Sequence, residues 1–343
     1  MIGIVVGFGT AGKYYLELFK KFKIVKKVYV IEKDKNIIIK ESNFIKRCDL
    51  SEVRKNLKLI NFAIISTPSY LHYKYAKYFL ENNIEVLIEK PFVLKLDHAK
   101  KLSELSIKKK LRCWVTFQNR HNLAITKLKK EIKNNSLGKI NLVDCSLFWH
   151  RNKKYYQVGW RGKYKTDGGV LANQAIHLLD ALIYIFGKVI NFNAIAGFNK
   201  KKLNSEDLIL INSVHKGKIY SSFKATTRAN KDYRSAIDVF GEKGRILVNG
   251  ISLNSYNYFK GKNFIIDKKN SEEFELGKGP ISGMGNGHIK ILKEFLNKKK
   301  SSKSLEIQKN IYLLKLIHSI YSLINSKNKT IGKVKNKQSI WGI

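Results

Sequence analysis

The segment DGGVLANQAIHLLD, residues 167–180, opens with two glycines and continues as an apolar helical pattern that carries polar side chains. Polar residues recur in it and just beyond it at intervals of four, three and four: Asn173, His177, Asp180 and Tyr184. This spacing predicts one polar face on a helix over 170–186, with Gly187 as its C-cap. Because histidine exchanges protons near neutral pH, His177 is a candidate general base. The usual alternative for a histidine on an apolar helix is a hydrogen-bonded core residue.

The other residues of this segment have predicted roles in shaping the site. Gly168 and Gly169 at the helix start would let the backbone approach a ligand closely. Asp180 would orient His177 or tie the helix to a sheet, and Tyr184 would pack.

A lysine at the end of a buried strand is the second candidate for chemistry. The tripeptide EKP, Glu89-Lys90-Pro91, follows the apolar pattern of 84–89. Ligands bind at the carboxyl ends of parallel strands, where an ammonium group can hydrogen-bond a substrate hydroxyl and stabilise a developing alkoxide. The chain has 66 Lys and Arg residues, so any one lysine is by default a solvated charge. The position of Lys90 is what distinguishes it.

The first residues predict a loop that binds the phosphates of a dinucleotide. A short apolar strand, Ile2–Val6, leads into GFGTAG, which has G-x-G-x-x-G spacing, and an amphipathic helix follows to about Phe22. The glycines allow a tight turn, close approach of the backbone to a pyrophosphate, and packing of the helix on the strand. The N-terminus of that helix attracts the phosphates. The predicted cofactor contacts here are Gly7, Phe8, Gly9, Thr10, Ala11 and Gly12.

An acidic residue at the end of the second predicted strand indicates which dinucleotide is bound. Glu32 follows Gly12 at the distance where a carboxylate accepts hydrogen bonds from the adenosine ribose hydroxyls. A carboxylate there repels a 2′-phosphate, so NAD is predicted and NADP is disfavoured. Asp34 is a nearby alternative for this role, and a solvated strand end is the non-functional one.

The order of strands and helices predicts two domains. Strands over 61–66 and 84–89 alternate with helices over 70–81 and 96–109, as in a doubly wound parallel sheet. At the ends of those strands, the predicted cofactor contacts are Ser66, Thr67, Pro68, His72, Glu89 and Lys90. From about Lys139, strands follow one another with hairpin signals between them. We therefore predict an α/β Rossmann domain over 1–120 and an α+β domain over 121–343.

The composition favours a globular cytoplasmic protein. Hydrophobic residues make up 44% of the chain, no apolar run reaches the length of a membrane span, and no signal-peptide pattern precedes the first strand. Three scattered cysteines fit a reducing compartment and have no metal-ligand spacing, so no metal is expected. The net charge of +40 indicates either a polyanion partner such as nucleic acid or a lysine-rich compositional bias. We favour the bias, because no nucleic-acid motif accompanies the charge.

Four motifs in register resemble the Gfo/Idh/MocA oxidoreductase family: GFGTAG, STPSYLH, EKP and DGGVLANQAIHLLD. The resemblance covers essentially the whole chain. It implies a Rossmann domain followed by a domain with a large, mostly antiparallel sheet that often serves oligomerisation, so a homo-oligomer is expected, either a dimer or a tetramer. It also implies that Lys90 and His177 match the catalytic lysine and histidine of the family.

Two positions depart from the common family pattern and narrow the resemblance to one branch. The family commonly has an aspartate four residues before the histidine and a glycine two residues before it, whereas this chain has Asn173 and Ala175. Because asparagine carries no proton to exchange, Asn173 is expected to position the sugar. GGVLANQAIHLLD resembles the branch of UDP-N-acetylglucosaminuronate 3-dehydrogenases. Two further segments, 117–140 and 149–169, are similar to the same branch.

The residues expected to hold a nucleotide sugar lie in those two segments. Arginines clamp phosphates or carboxylates, and aromatic rings stack on a base or a sugar. The predicted substrate contacts, besides Asn173, are Gln118, Arg151, Tyr155, Tyr156, Trp160 and Arg161. The alternative is a surface loop whose aromatic side chains anchor it to the sheet. GMGNGH, residues 283–288, is either a mobile loop over the site or a helix start capped by Asn286.

The sequence thus predicts NAD-dependent oxidation of a secondary hydroxyl, at C3 of a UDP-linked N-acetyl sugar or uronate, in surface-polysaccharide biosynthesis. Lys90 and His177 would hold the hydroxyl. Three alternatives remain: a free sugar or inositol as substrate in the same family, an NAD-binding protein without turnover, and a nucleic-acid binder that the charge alone suggests.

Overall fold

The structure is a computed structural model that describes residues 1–199, 204–233, 235–260, 271–273, 287–297, 302–326 and 331–343. Within these ranges the chain divides into two compact units. The first contains Met1–Thr116 and Leu292–Ile311, and the second begins at Phe117 and contains Tyr312–Ile343. The sequence placed the boundary after residue 120 and assigned the rest of the chain to the second domain. In the structure the second unit begins slightly earlier, and the segment Leu292–Ile311 belongs to the first unit.

The first unit contains a parallel sheet. Its strands are, in chain order, β1 (Ile2–Val6), β2 (Lys27–Ile31), β3 (Ile45–Cys48), β4 (Phe62–Ile65), β5 (Glu85–Ile88) and β6 (Cys113–Val115). They lie in the order β3-β2-β1-β4-β5-β6, and every pair is parallel. The helices between them are α1 (Thr10–Lys20), α2 (Leu50–Asn56), α3 (His72–Glu81) and α4 (Leu96–Lys108). This strand order is that of the Rossmann fold, so the predicted α/β domain is confirmed.

The central strands are apolar at successive positions because both faces of the sheet are covered. Ile4, Val5 and Val6 of β1 are fully buried, as are the four residues of β4 to within 1% exposure. The strand β3 and the helix α2 were missed in the sequence because IKRC is short and polar. A local signal for α2 was present, since Asp49 and Glu52 form a capping box at its start.

The second unit contains a larger sheet. Its strands are β7 (Ile140–Phe148), β8 (Val189–Gly197), β9 (Leu208–His215), β10 (Tyr220–Thr226), β11 (Ser235–Gly241), β12 (Gly244–Gly250), β13 (Ser255–Lys260), β14 (Ser271–Glu273) and β15 (Gly332–Lys333). In the described part of the chain they lie in the order β14-β13-β12-β11-β7-β10-β9-β8-β15. Only the β7–β10 pair is parallel among these strands. The predicted large, mostly antiparallel sheet is therefore confirmed.

One face of this sheet is covered by helices. The remaining helices in the described part of the chain are α5 (Leu123–Lys133), α6 (Lys153–Tyr156), α7 (Ile176–Phe186), α8 (Gly287–Leu296) and α9 (Ile307–Ile324). Helix α7 packs on β7, and α5 packs on β12 and β13. Burial alternates along β9, so that Ile209 and Ile211 face the helices while Leu210 is exposed on the other face. Among the described residues, no helix is long and apolar enough to cross a membrane.

The helix that carries His177 is shorter than predicted. It begins at Ile176 rather than near residue 170, and Asn173 therefore lies in the preceding loop and not on the helix face. Residues 167–175, which we call the Gly-Gly loop, form turns instead. The backbone N–H groups of Val170 and Leu171 donate to Glu206, a partner far along the chain. The helix ends, as predicted, at Gly187, whose φ is 85°.

Candidate active site

The glycine-rich loop, Gly7–Gly12, joins β1 to α1 and has the geometry of a phosphate cradle. Gly7 has φ of 93°, and a Cβ on Gly12 would lie 2.1 Å from the Gly7 carbonyl oxygen, so both positions require glycine. In front of Gly9, by contrast, a Cβ would meet no described atom within 4 Å. Gly9 is the N-cap of α1, and no side chain caps that helix. The N–H groups of Thr10 and Ala11, in the first turn of α1, have no acceptor within the helix, and the open space beside them fits a pyrophosphate.

Of the two predicted ribose ligands, Glu32 is the one tied to the glycine-rich loop. Its carboxylate accepts a hydrogen bond from Phe8 N at 2.7 Å and another from Asp34 N at 2.9 Å. The carboxylate of Asp34 instead accepts from Asn36 N at 2.9 Å. Glu32 is therefore held at the mouth of the loop, whereas Phe8 is buried with its N–H already engaged.

The residues that follow β4 brace the loop from one side. Ser66 Oγ donates to the carbonyl oxygen of Gly7 at 2.9 Å. A Cβ on Gly7 would lie 2.7 Å from Thr67 N, which shows how closely the two segments pack. Pro68 precedes the 3₁₀ turn Ser69–Leu71.

His72 is a buried brace between two strand ends. Its Nε2 lies 2.8 Å from the Thr67 carbonyl oxygen and its Nδ1 lies 2.9 Å from the Pro91 carbonyl oxygen. The side chain is 1% exposed, and burial lowers its pKa to about 4. His72 thus joins the chain after β4 to the chain after β5, which shapes the predicted cofactor site from behind.

Lys90 follows β5, where three other side chains fix the backbone. The Glu89 carboxylate accepts from Tyr15 Oη at 2.7 Å and from Lys90 N at 3.3 Å. Tyr15 Oη also lies 3.1 Å from Thr116 Oγ1. Burial raises the pKa of Glu89. Sequence reasoning missed Tyr15, because an aromatic residue three positions after Gly12 is indistinguishable from an ordinary core residue of α1.

In the second unit, His177 lies in the first turn of α7 against a 3₁₀ turn, Gln118–His121. Its Nε2 is 3.3 Å from Gln118 Nε2, and the Phe117 ring meets the imidazole edge-on at 6.5 Å between centroids. Two predicted site residues, Gln118 and His177, are therefore neighbours. One turn further along α7, Asp180 pairs with Arg120, a residue that sequence reasoning missed.

Asn173 is held by an aspartate of its own loop. Its Nδ2 donates to both carboxylate oxygens of Asp167 at 2.7 Å. Asp167 is 2% exposed, and it also accepts from Gly162 N at 3.1 Å. The indole of Trp341 donates to the Asp167 carbonyl oxygen at 3.3 Å. The structure thus gives Asn173 a fixed orientation within the Gly-Gly loop.

The two glycines of the Gly-Gly loop are required by internal packing. A Cβ on Gly169 would lie 1.9 Å from Glu206 Oε2, and one on Gly168 would lie 2.7 Å from the Ala172 side chain. Glu206 is 1% exposed, and its carboxylate accepts from Leu171 N and from Tyr321 Oη, each at 3.0 Å. Burial raises the pKa of Glu206 to about 7.

The predicted substrate arginines differ in their partners. Residues 149–161 form what we call the aromatic–arginine segment, which contains the short helix α6. Arg151 donates to the Asp232 carboxylate at 3.0 Å, so its charge is compensated. The Arg161 guanidinium stacks 4.1 Å from the Tyr155 ring centroid and 5.3 Å from that of Trp160. No carboxylate of the described residues forms an ion pair with it.

The tyrosines of this segment anchor it in place. Tyr155 Oη accepts from Gln174 Nε2 at 3.1 Å, which joins the segment to the Gly-Gly loop. Tyr156 Oη lies 3.0 Å from Thr227 Oγ1 after β10. Of GMGNGH, residues 283–286 lie outside the described residues, and α8 begins at Gly287.

Together, the parallel sheet, the glycine-rich loop and the acidic residue at the end of β2 define a dinucleotide-binding oxidoreductase domain. Residues 2–117 match the model of an oxidoreductase family with an NAD-binding Rossmann fold, and residues 125–247 match the GFO/IDH/MocA C-terminal domain. The chain belongs to the GFO/IDH/MocA oxidoreductase family. The predictions of an oxidoreductase and of NAD as its cofactor are thereby confirmed.

Individual relatives are similar over different lengths. The chain is 28% identical to the scyllo-inositol 2-dehydrogenase (NADP(+)) IolW of Bacillus subtilis over 150 residues, which is 43% of this chain and 41% of that protein. It thus spans less than half the length of this curated relative.

Two solved structures share the fold over nearly the whole chain. The WlbA dehydrogenase from Bordetella pertussis, in complex with NADH and UDP-GlcNAcA, has a TM-score of 0.80 at 21% identity, covering 98% of this chain and 99% of that one. The WlbA dehydrogenase from Chromobacterium violaceum, in complex with the same two ligands, has a TM-score of 0.83 at 21% identity, covering 98% and 96%.

Proposed function

We propose that the protein uses NAD to oxidise the secondary hydroxyl at C3 of a UDP-linked N-acetyl sugar or uronate. This places it in the UDP-N-acetylglucosaminuronate 3-dehydrogenase branch of the family. The reaction would be a cytoplasmic step of surface-polysaccharide biosynthesis. The observation that carries the substrate class is Arg161, which stacks on Tyr155 and Trp160 and has no ion-pair partner among the described residues. A guanidinium with adjacent aromatic rings suits a phosphate or carboxylate next to a base or sugar. The two WlbA structures with bound UDP-GlcNAcA support the same class.

The glycine-rich loop and Glu32 bind NAD in this proposal, and the residues after β4 and β5 line the cofactor. The N–H groups at the start of α1 donate hydrogen bonds to the pyrophosphate, and Glu32 accepts hydrogen bonds from the adenosine ribose. When bound, the nicotinamide supplies the acceptor for the hydride that leaves the substrate carbon.

Lys90 and His177 carry the proton chemistry. His177 takes the proton from the substrate hydroxyl as a general base. Lys90 stabilises the negative charge that develops on that oxygen through a charge-assisted hydrogen bond. Gln118 bonds His177 and orients its ring. Asn173, held by Asp167, positions the sugar.

The two arginines have different roles in the proposal. Arg161 binds the anionic part of the substrate. Arg151 is already paired with Asp232, and it holds the aromatic–arginine segment in shape together with Tyr155 and Tyr156. The net charge of +40 draws the anionic substrate towards the protein in a salt-dependent way.

The substrate test uses mass spectrometry, because an enzyme that recycles bound NADH gives no rise in absorbance. The purified protein is incubated with NAD, 2-oxoglutarate as a hydride acceptor, and a panel of UDP-sugars that includes UDP-N-acetylglucosaminuronate. We expect one member of the panel to lose two hydrogens. If every UDP-sugar is returned unchanged while NAD binds, the nucleotide-sugar proposal is wrong.

A free polyol is the second candidate substrate, favoured by the 28% identity to an inositol dehydrogenase. A parallel panel of inositols and free sugars in the same assay separates the two. Turnover of a polyol, with none of any UDP-sugar, would establish this candidate instead.

We also propose that the protein is a homo-oligomer that associates through the open face of the larger sheet. Ile195 on β8 and Leu210 on β9 are cross-strand partners there and are 69% and 42% exposed. Leu210→Lys should lower the mass measured by light scattering, whereas Ile251→Lys, at an exposed turn, should not. An unchanged mass for Leu210→Lys, or a monomeric parent protein, contradicts this assignment.

A further inference from the structure

Two contacts join α7 to the 3₁₀ turn Gln118–His121, and they lie side by side. His177 is bonded to Gln118 at 3.3 Å, and Asp180 accepts from Arg120 Nε at 2.8 Å and also from Arg120 Nη2. Residues three positions apart on a helix are neighbours on one face. The ion pair therefore adjoins the histidine on α7, as Arg120 adjoins Gln118 on the turn.

The ion pair is buried, so its charges act at close quarters. Asp180 is 2% exposed and Arg120 is 8% exposed. Burial raises the pKa of Asp180, and the Arg120 guanidinium opposes that shift. In such surroundings the loss of one partner leaves the other as an uncompensated charge.

A further cation faces the same side of α7 from α5. Lys129 Nζ lies 3.1 Å from the Tyr184 ring centroid, one turn beyond Asp180. Burial and the charge of Arg120 lower the pKa of Lys129 to about 8, and Asp180 opposes them. Among the described residues, one anion and two cations therefore lie along the face of α7 that carries His177.

The charged groups on the other elements around α7 are bonded to partners of their own. Strand β7 turns Val143 and Cys145 towards the helices, and burial raises the pKa of that thiol. The 3₁₀ turn ends at His121, whose carbonyl oxygen accepts from Lys290 at 3.2 Å. The Gly-Gly loop adds Asp167, whose carboxylate is bonded to Asn173. Asp180 is thus the anion on the helix face itself.

We propose that Arg120 and Asp180 form a positioning pair for His177, which fixes the imidazole against Gln118 and sets how readily it accepts a proton. The pair does not touch the substrate. Only its effect on turnover rests on the proposed function, because the protonation of the ring is measurable without any substrate.

The charges around His177 predict shifts of opposite sign in two variants. Asp180→Asn leaves Arg120 and Lys129 without the anion, which disfavours the imidazolium and should lower the His177 pKa by about one unit. Lys129→Met removes a half-buried cation and should raise the His177 pKa by roughly half a unit. A purely structural role predicts no such pair of signs.

The experiment is an NMR titration of the full chain labelled at the histidine ring carbons, with the His177 signal assigned by its loss in His177→Asn. Asp238→Asn is the matched control, since it removes the carboxylate of another bidentate pair, with Arg245 at 2.8 and 2.6 Å. We expect a lower His177 pKa in Asp180→Asn, a higher one in Lys129→Met, and the parent value in the control. If Asp180→Asn does not fold, Arg120→Met takes its place: it removes the cation of the pair and leaves the carboxylate, so the His177 pKa should rise.

The readouts separate this inference from the proposed function. An unchanged His177 pKa in the two test variants, or a shift opposite in sign to the one expected, overturns the positioning pair whatever the activity. Alternatively, the shifts have the expected signs while the apparent pKa in the pH profile of kcat does not move with them. In that case the positioning pair stands and His177 is not the general base.

Discussion

The glycine-rich loop of the first unit and the Gly-Gly loop of the second both place glycine where a side chain would collide with a neighbour. The two loops differ in which neighbour that side chain would meet. A Cβ on Gly12 would strike the backbone of Gly7 in the same loop, at 2.1 Å. A Cβ on Gly169 would strike the carboxylate of Glu206, far along the chain, at 1.9 Å. The first loop is closed by its own residues and by the segment after β4, and it leaves open space at Gly9. The second is closed chiefly by a buried acid, so its glycines are required by packing within the second unit.

Within this comparison of the two loops, the largest expected effect tests the first one. Gly12→Ala should weaken NAD binding at least about 100-fold, because the added carbon meets a backbone oxygen that cannot move without opening the loop. Isothermal titration with NAD measures this change. Gly9→Ala is the matched control for folding, since its Cβ meets no described atom within 4 Å and the midpoint of thermal unfolding should be unchanged. Parent-like NAD affinity in Gly12→Ala would contradict the phosphate-cradle assignment.

The corresponding change in the second loop should spare the cofactor. Gly169→Ala drives a methyl group into Glu206 and should cost about 3 kcal/mol of unfolding free energy. Turnover should fall while NAD affinity stays near that of the parent, because the contact lies within the second unit. Gly159→Ala in the same unit meets no described atom within 4 Å and serves as the control in denaturant unfolding. Equal stability of the two variants would refute the internal role of Gly169.

The buried acid behind the Gly-Gly loop predicts a pH dependence of stability. Burial raises the pKa of Glu206 to about 7, so the folded protein holds a proton that the unfolded chain has released above its ordinary pKa. The stabilisation is therefore full at low pH and is lost as pH rises towards 7, by on the order of 2 kcal/mol.

Denaturant unfolding at pH 5 and at pH 8 measures this loss in the parent protein and in Glu206→Gln. The variant cannot ionise at this position and should lose that part of the dependence. Glu17→Gln, at a half-exposed carboxylate of α1, should keep it. The same pH dependence in the parent and in Glu206→Gln would contradict the assignment.

The smallest expected effect distinguishes the two arginines of the aromatic–arginine segment. Arg161→Met should raise KM for a UDP-sugar about tenfold, since a charge-assisted hydrogen bond to the substrate is lost. Arg151→Met breaks an internal pair with Asp232 that is partly exposed and should change KM less. Steady-state kinetics compares them, and equal KM values in the two variants would remove Arg161 from the substrate site.

The first unit could be predicted well because its signals are local. The glycine spacing, the apolar strands and Glu32 lie within the first 32 residues, and the structure joins them as expected. A capping box at Asp49 could also have revealed α2. Local spacing could not show the role of Tyr15, because its hydroxyl bonds Glu89, beside Lys90, only in the folded protein.

The second unit was harder to predict because its site residues form hydrogen bonds with residues that are distant in the chain. The helical periodicity of 170–186 includes Asn173. However, the N–H groups of Val170 and Leu171 donate to Glu206, and the helix begins only at Ile176. Arg120 likewise has no visible role until α7 brings Asp180 to it. Periodicity fixes which residues favour a helix, whereas long-range hydrogen bonds decide where it begins.

The most direct test of the central claim is turnover in Lys90→Ala and His177→Ala beside their affinity for NAD. With a confirmed substrate, we expect each variant to lose about 10²- to 10⁴-fold in kcat, as for removal of a general base or an electrostatic stabiliser. The Kd for NAD should change far less in both. Near-parental kcat in the two variants would contradict the assignment of Lys90 and His177 to the chemistry.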